Sequence, residues 1–506
     1  MGLSRDTSAA LATIHEWINS FVPINRLPTD VFSLIPTHLS SQKDRFRSTF
    51  VSRHWRRTFL QYAALWSRLD LSKGEIYVET LLERAKGSPL NVLASSLDPI
   101  GAMILLPPYT KQIADIEFTN SGWAVIRRFS EITSGPLPLL RTLNINVIWG
   151  IDPNSPDMVT SPSHPLFSGA VGLKELRLHA ELQPFLRNFI FPNLTSFELS
   201  VTSVEQFYGS QLLDFLETSP MLQVVDVRII TTLSLEGVPR ERVVVLHHVE
   251  SLCLTARDGN HSYKLASHML CPSIKNTSLM HMDWGRRAAA PPLETFPVPD
   301  LLNAIIRQYT RSPIEEITLE TKIEAEFYDF VTRSVTFRSA DATVVRLCFD
   351  VSEYDDPPFT RTVFPKACRA IRDLPLLANI KHLHVRGLFD IEEELMTQIA
   401  HEFGGLLKSL GSLEELTISN CDMRPYFSYY PEIVGYPPIR ALTLSDPWNT
   451  LKEDAAGGLV GLAKAQHELG VPFERVTIRS YLPLAVVGER LKPWVGVVDC
   501  SLYDTS

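Results

Sequence analysis

From residue 113 onward the hydrophobic positions fall into a repeating figure, apolar-x-x-apolar-x-apolar, usually closed by a polar residue. It reads IADIEFT from 113, LRTLNIN from 140, LKELRLH from 173, LTSFELS from 194, LQVVDVR from 222 and VESLCLT from 249. A degenerate IKNTSLM follows from 274. Then come IEEITLE from 314, VVRLCFD from 344, IKHLHVR from 380, LEELTIS from 413, IRALTLS from 439, FERVTIR from 473 and VVDCSLY near 497. Successive starts lie 21 to 40 residues apart. Alternation of this kind suits a short strand buried on one side. Helical spacing occupies intervals at 205–220, 300–313 and 393–412, and the stretch 87–112 supplies a strand and turns ahead of the series. A strand, a helix and a parallel strand, repeated many times, predict a right-handed α/β solenoid. A doubly wound α/β sheet is the competing architecture.

The first seventy residues follow a different rhythm. Leu11, Ile14, Trp17 and Ile18 fall on one side of a helix over Asp6–Asn19. Pro28 sits where a proline best opens a helix, and Asp30 suits the first-turn dipole. Val31, Leu34, Ile35 and Leu39 then form a single apolar stripe, with Pro36 predicting a short or kinked helix. SSQKD (40–44) reads as a turn. Phe46, Phe50 and Val51 open a second apolar face, continued by Trp55, Phe59 and Tyr62, while Arg53, Arg56 and Arg57 fall off it and Leu65-Trp66 close the unit.

RLPTDVFSLIPTHL followed by VSRHWRRTFLQYAALWSRLDL resembles an F-box domain, in the form abundant in mushroom-forming fungi. The likeness rests on Leu27-Pro28, the Val31/Leu34/Ile35/Leu39 stripe, Val51 with Trp55, and Leu65-Trp66. It covers about fifty of 506 residues. The chain departs from the family at Ser52, where the family often has Cys, and at Pro36 inside the first long helix. The resemblance implies a small helical module that docks on the Skp adaptor of cullin-based ubiquitin ligases, with the rest of the chain selecting a protein substrate. It places Leu27, Pro28, Val31, Leu34, Ile35, Leu39, Val51, Trp55 and Trp66 at or near the adaptor contact or in the packing behind it. The later repeating figure resembles leucine-rich repeats, which F-box proteins commonly carry. Only LEELTISNCDM (413–423) extends to the fuller pattern, with Cys421 at the inward Asn/Cys position. In such repeats the third, fifth and seventh residues of the figure face away from the core. Here they give the substrate-face candidates Glu175, Arg177 and His179; Glu316, Thr318 and Glu320; His382, His384 and Arg386; Arg475, Thr477 and Arg479.

Composition narrows the picture modestly. The 45% hydrophobic and 21% charged residues are those of a folded soluble chain, and the net charge of −9 argues against a generic nucleic-acid binder. Charge is uneven: Pro23–Leu71 holds eight Lys/Arg against three Asp, a local +5. That patch is compatible with phosphate or with an acidic protein. The six cysteines are nowhere closer than 18 residues, which predicts isolated, reduced, mostly buried thiols and no zinc knuckle. Arg5, Asp6, His15 and Glu16 interrupt any secretory apolar run, and no stretch approaches the length of a membrane span. HEWIN at 15 and HEFGG at 401 lack the second histidine of a zinc-protease helix, and no phosphate-binding or nucleophile-elbow motif occurs. His247-His248, read as extended, point oppositely; Asp355-Asp356 reads as an exposed turn; the proline-rich stretches 151–165 and 286–300 read as surface loops.

The sequence therefore predicts an α+β chain: an N-terminal helix (1–22), an all-α F-box module (23–71) and an irregular α/β leucine-rich-repeat-like solenoid (87–506). The expected function is a cytoplasmic or nuclear substrate receptor of a Skp-cullin-F-box ligase. Its partners would be the adaptor, cullin through it, and a protein substrate, with no nucleic acid, membrane, metal or cofactor and no enzymatic step. Alternatives are an F-box scaffold acting outside a ligase and a hydrolase or transferase on an α/β fold.

Overall fold

The computed structural model describes residues 2–39, 41–95, 100–147, 165–180, 186–202, 206–256, 259–283, 306, 308–310, 312–324, 330–351, 365, 367–374, 377–387, 393–421, 423–427, 437–446, 453–480 and 485–502. The Asp355-Asp356 turn, 286–300, nearly all of 151–165 and most of the helix predicted at 300–313 lie outside them. The chain is mixed α/β with mostly parallel strands. By compactness it divides into Met1–Thr202 with Thr218–Pro220, and Ser203–Glu217 with Met221–Ser506.

The first unit opens with helix α1 (Gly2–Ser20), then a 3₁₀ turn at Pro23–Arg26 and helix α2 (Thr29–Leu34). As Pro36 predicts, α2 is short: the chain tightens into 3₁₀ geometry at Ile35–His38. The SSQKD turn needs correction. Ser41 is an N-cap whose hydroxyl accepts from the Lys43 N–H at 3.2 Å, so the residues after it begin helix α3 (Gln42–Ser48). Helix α4 (Arg53–Gln61) starts the same way, with the Ser52 hydroxyl accepting from the Trp55 N–H at 3.2 Å. Ala63–Trp66 is 3₁₀, and helix α5 (Glu75–Ala85), not foreseen, buries Val78, Leu81, Leu82 and Ala85 at helical spacing.

Six described strands of this unit pair in parallel and in chain order: β1 (Arg68–Asp70), β2 (Leu90–Ala94), β3 (Ile113–Phe118), β4 (Thr142–Val147), β5 (Glu175–Ala180) and β6 (Ser196–Val201). The motif residues of β3 to β6 are buried, and their alternates face outward. The first rung is earlier than the sequence predicts. Arg68–Asp70, too short to show alternation, pairs with Asn91–Leu93.

In the second unit strands Val224–Ile229, Ser251–Ala256 and Asn276–Asp283 run parallel in order. The order then inverts. Asn276–Asp283 pairs in parallel with Val344–Val351, which pairs antiparallel with Phe330–Ser339, which pairs antiparallel with Ile314–Glu324. Ile314–Glu324 finally pairs in parallel with His382–Arg386. Parallel order resumes through Glu415–Ser419, Ala441–Asp446, Arg475–Ser480 and Val497–Leu502. All fourteen motif stretches are strands, but uniform strand-helix-strand repetition fails between 276 and 351. The cause is Phe330–Ser339, an unforeseen strand that turns the chain back on itself. Helices were predicted at 205–220 and 393–412; they run Gly209–Glu217 and Glu393–Ser409, and Glu453–Glu468 adds one the pattern did not suggest.

Two devices recur along the rungs. The N–H groups opening one strand reach back to the carbonyl just before its neighbour, as Glu175 does to Arg141 (2.9 Å), Asn276 to Glu250 (3.0 Å), Ala441 to Glu414 (3.0 Å) and Val497 to Glu474 (2.9 Å). Small buried polar groups close strand ends. The Cys421 thiol lies 3.7 Å from the Val385 carbonyl, and the Ser121 hydroxyl donates to the Ala94 carbonyl at 2.9 Å. Each sits eight residues after its motif starts, so Ser121 occupies the position that Cys421 alone was expected to hold.

Gly458, inside Glu453–Glu468, has no room for a β-carbon, which would collide with the Phe427 carbonyl oxygen; Gly457 beside it meets nothing within 4 Å. Gly458→Ala should lower stability by about 1–3 kcal/mol. Gly457→Ala should be neutral or gain up to ~1 kcal/mol from helix propensity. Thermal midpoints of the two variants check this.

Candidate functional site

The helical module is built on Phe32, which the apolar stripe skipped. Its ring is fully buried, stacked on Phe59 with centroids 5.1 Å apart, edge-on to Trp55 at 5.0 Å and tilted against His54 at 5.1 Å. Phe59 in turn meets Trp55 at 5.3 Å. The Trp55 indole N–H donates to the Asn25 side-chain oxygen at 2.7 Å, pinning α4 to the turn before α2. Trp66 is 1% exposed. Its indole N–H donates to the Phe59 carbonyl at 3.0 Å, Phe46 lies 5.3 Å from its ring, and the Arg84 guanidinium caps it at 4.8 Å. The tryptophans thus point inward, and the nearby cations divide between ring faces and solvent: Arg56 lies over Phe50, and Arg53 sits 3.7 Å from Glu16.

With Phe32 turned in, the expected stripe turns out. Val31 is 44% exposed, Leu34 50% and Val51 60%; Leu27 and Pro28 are also exposed, while Ile35 and Leu39 are half-buried. Trp55 is half-buried, and Trp66 lies behind the surface as packing. Phe50 and Val51, which begin the second apolar face, stand exposed just after helix α3 ends at Ser48. Among the described residues twenty-eight large apolar side chains are exposed, and twelve of them fall between Leu11 and Val51. They include Leu11, Ile14, Trp17 and Ile18 of α1, so the amphipathic face of that helix is turned to solvent.

The outward sheet residues form two chemical zones, one in each unit. In the first, Arg177 is held by Glu175 at 3.5 Å and Glu198 at 3.8 Å, and His179 lies 3.9 Å from Glu198. In the second, backbone register sets Glu316, Thr318 and Glu320 beside His382, His384 and Arg386; the Glu320 side chain is outside the described residues. His382 lies 3.1 Å from Glu415, His384 lies 3.9 Å from Glu316, and Arg338 approaches Glu316 at 3.7 Å. Arg475 and Arg479 are exposed on a strand further along, with Thr477 half-buried between them. Arg338 was missed because it lies on the unforeseen strand.

Elsewhere, Glu402 is buried and paired to Arg369 (Nε at 3.1 Å) and Arg372 (3.3 Å), and the hydrogen bond from Arg369 holds its carboxyl below the ordinary range. It is a satisfied ion pair rather than a poised acid. Burial pushes the Cys271 thiol up to about 12 and Cys253 to about 11, away from a reactive thiolate. Cys500 alone of the described thiols is exposed. His247 and His248 occupy a turn, both exposed, and not the extended geometry expected of them. No group of metal-ligating side chains occurs among the described residues, and no described helix is long and apolar enough to cross a membrane. Comparison with models of known families and with curated proteins found no match.

Phe32→Ala should destabilise by about 3–5 kcal/mol, whereas Val31→Ala, one residue away, should stay within about 0.5 kcal/mol in the same unfolding assay. A pH dependence follows from His384. Burial holds its imidazole below the ordinary 6.5 despite nearby Glu316. The unfolded chain therefore binds the proton more readily, so this contribution to stability is complete above 6.5 and is lost as pH falls below it. Melting curves between about pH 7.5 and 5.5 should decline less steeply for His384→Gln than for the parent chain.

Proposed function

We propose that the chain is the substrate-recognition subunit of a Skp-cullin-F-box ubiquitin ligase. In this reading the helices between Pro23 and Trp66 are a divergent F-box, and the parallel ladder is an irregular leucine-rich-repeat-like solenoid that holds a protein target. The observation that carries it is the division of labour in the module. The aromatic cluster around Phe32, with Leu65 and Trp66, supplies its interior, while Leu27, Val31, Leu34 and Val51, residues the resemblance assigns to the adaptor, remain in solvent. A helical unit of about fifty residues has little core of its own and gains by covering such a face with a partner. Ser52, a departure from the family, serves as the cap of α4, a role a cysteine fills poorly. For the solenoid, support comes from the strand-per-motif correspondence and from Ser121 and Cys421 bonding back to the preceding rung.

The protein performs no bond-making step on this reading. It raises the effective concentration of its target near the ubiquitin-carrying enzyme. The outward residues of both units, Glu175, Arg177 and His179 in one and Glu316, His382, His384, Arg386, Arg475 and Arg479 in the other, are the candidate target contacts, together with Glu320 by its register position opposite Arg386. An F-box scaffold acting outside a ligase shares the adaptor contact and differs in lacking cullin.

The test is capture of purified Skp adaptor and cullin by the full chain. Val31→Asp with Leu34→Asp, both on exposed sites, should abolish adaptor capture while leaving the melting temperature within about 2 °C, the shift expected for surface changes of about 0.5 kcal/mol. Undiminished capture by that variant would sink the assignment. Adaptor without cullin would favour the scaffold.

A further inference from the structure

The outward face of β1 to β5 holds a pocket of about 300 Å³ that the sequence did not announce. Its lining includes Arg45 from α3, Arg68 from β1, Asp115 and Glu117 from β3, Asn144 from β4 and Arg177 from β5. That volume is at the bottom of the range for small-ligand sites, roughly 300–1,000 Å³, so it suits one or two side chains and not a folded domain.

The charges that line it are not mutually satisfied. Arg177 is already engaged by Glu175 and Glu198. Arg68 and Asp115 form no ion pair among the described residues. Register explains why: Arg68 is level with Asn91, and Asn91 with Asp115, so the two charges stand two strands, about 10 Å, apart. Burial and, second to it, the nearby Arg68 charge disfavour the charged form of Arg45, whose Nε–H donates to the Leu39 carbonyl at 2.9 Å. The Asn144 side-chain oxygen is buried without a hydrogen-bond partner. A cationic end, an anionic middle and an orphaned acceptor therefore share one cavity, which calls for a ligand carrying both a carboxylate and an N–H-rich cation.

We propose that this pocket binds an extended segment of a target protein, an acidic side chain lying against Arg45 and Arg68 and a lysine or arginine two to four residues away lying against Asp115, Glu117 and Asn144. The spacing follows from the sheet: about 10 Å separates the two poles, and an extended chain advances about 3.3 Å per residue. The proposal rests on the receptor reading for the identity of its ligand as protein. Because Arg45 belongs to the helical module, that module contributes directly to recognition and not only to docking.

The test is selection from a displayed library of random twelve-residue peptides on the full chain, on Arg68→Glu, and on Arg68→Glu with Glu117→Lys, after matching melting temperatures. The parent chain should enrich peptides with an acidic and a basic residue two to four positions apart. Arg68→Glu should bind those peptides at least about tenfold more weakly, and adding Glu117→Lys should weaken them further. Enrichment of purely acidic or purely apolar peptides, no enrichment at all, or equal binding by Arg68→Glu would overturn the proposal. The Val31/Leu34 variant keeps the outcomes separate: it should select the same peptides as the parent. Failure of adaptor capture with selection intact therefore condemns the ligase reading alone.

Discussion

A parallel strand has no partner until the chain has left the sheet and come back, and this single requirement organises the ladder. Each return must present the strand in the same register as the last, or every buried side chain is moved to the solvent face. The chain meets the requirement with main-chain bonds at the opening residue of the strand, Glu175 to Arg141 and Ala441 to Glu414 among them, so alignment is set where the rung begins. Once aligned, the leucines, isoleucines and valines of the motif stack on those of the neighbouring rung. The outward positions are free of that packing constraint and carry polar and charged side chains.

That logic explains what could be read in advance. The motif reports burial on one side of a strand, and burial on one side is what an interior rung has; Val497–Leu502 shows the same spacing although its residues are exposed or half-buried. Arg68–Asp70 is three residues long and too short to alternate, so nothing in it separates it from the end of a helical segment. Phe330–Ser339 alternates but lacks the opening apolar residue three positions ahead that a returning parallel strand uses, since its turn is local. Helices such as Glu75–Ala85 carry ordinary amphipathic spacing that stood out less than the strands around it.

In the helical module the sequence displayed a stripe without saying which way it faced. Val31 and Leu34 are as apolar as the residues that fill cores. Only the neighbouring Phe32, large enough to meet Phe59, Trp55 and His54 together, decides the orientation. The candidate face was half legible for a similar reason. Position in the motif revealed Arg177 and His384. The pocket needed Arg45, which comes from α3 outside the repeat, and Arg68, which lies on a rung too short to show the motif.

The inverted three-stranded stretch in the second unit has a kinetic consequence. Phe330–Ser339 pairs with the strands immediately before and after it in the chain, so its partners lie close in sequence, whereas every parallel rung must close a circuit of about twenty residues or more before its first contact forms. Hairpins close in about 1–10 μs, and long circuits carry the larger entropic barrier. Within the second unit the meander is accordingly the set of pairings with the smallest loop-closure cost.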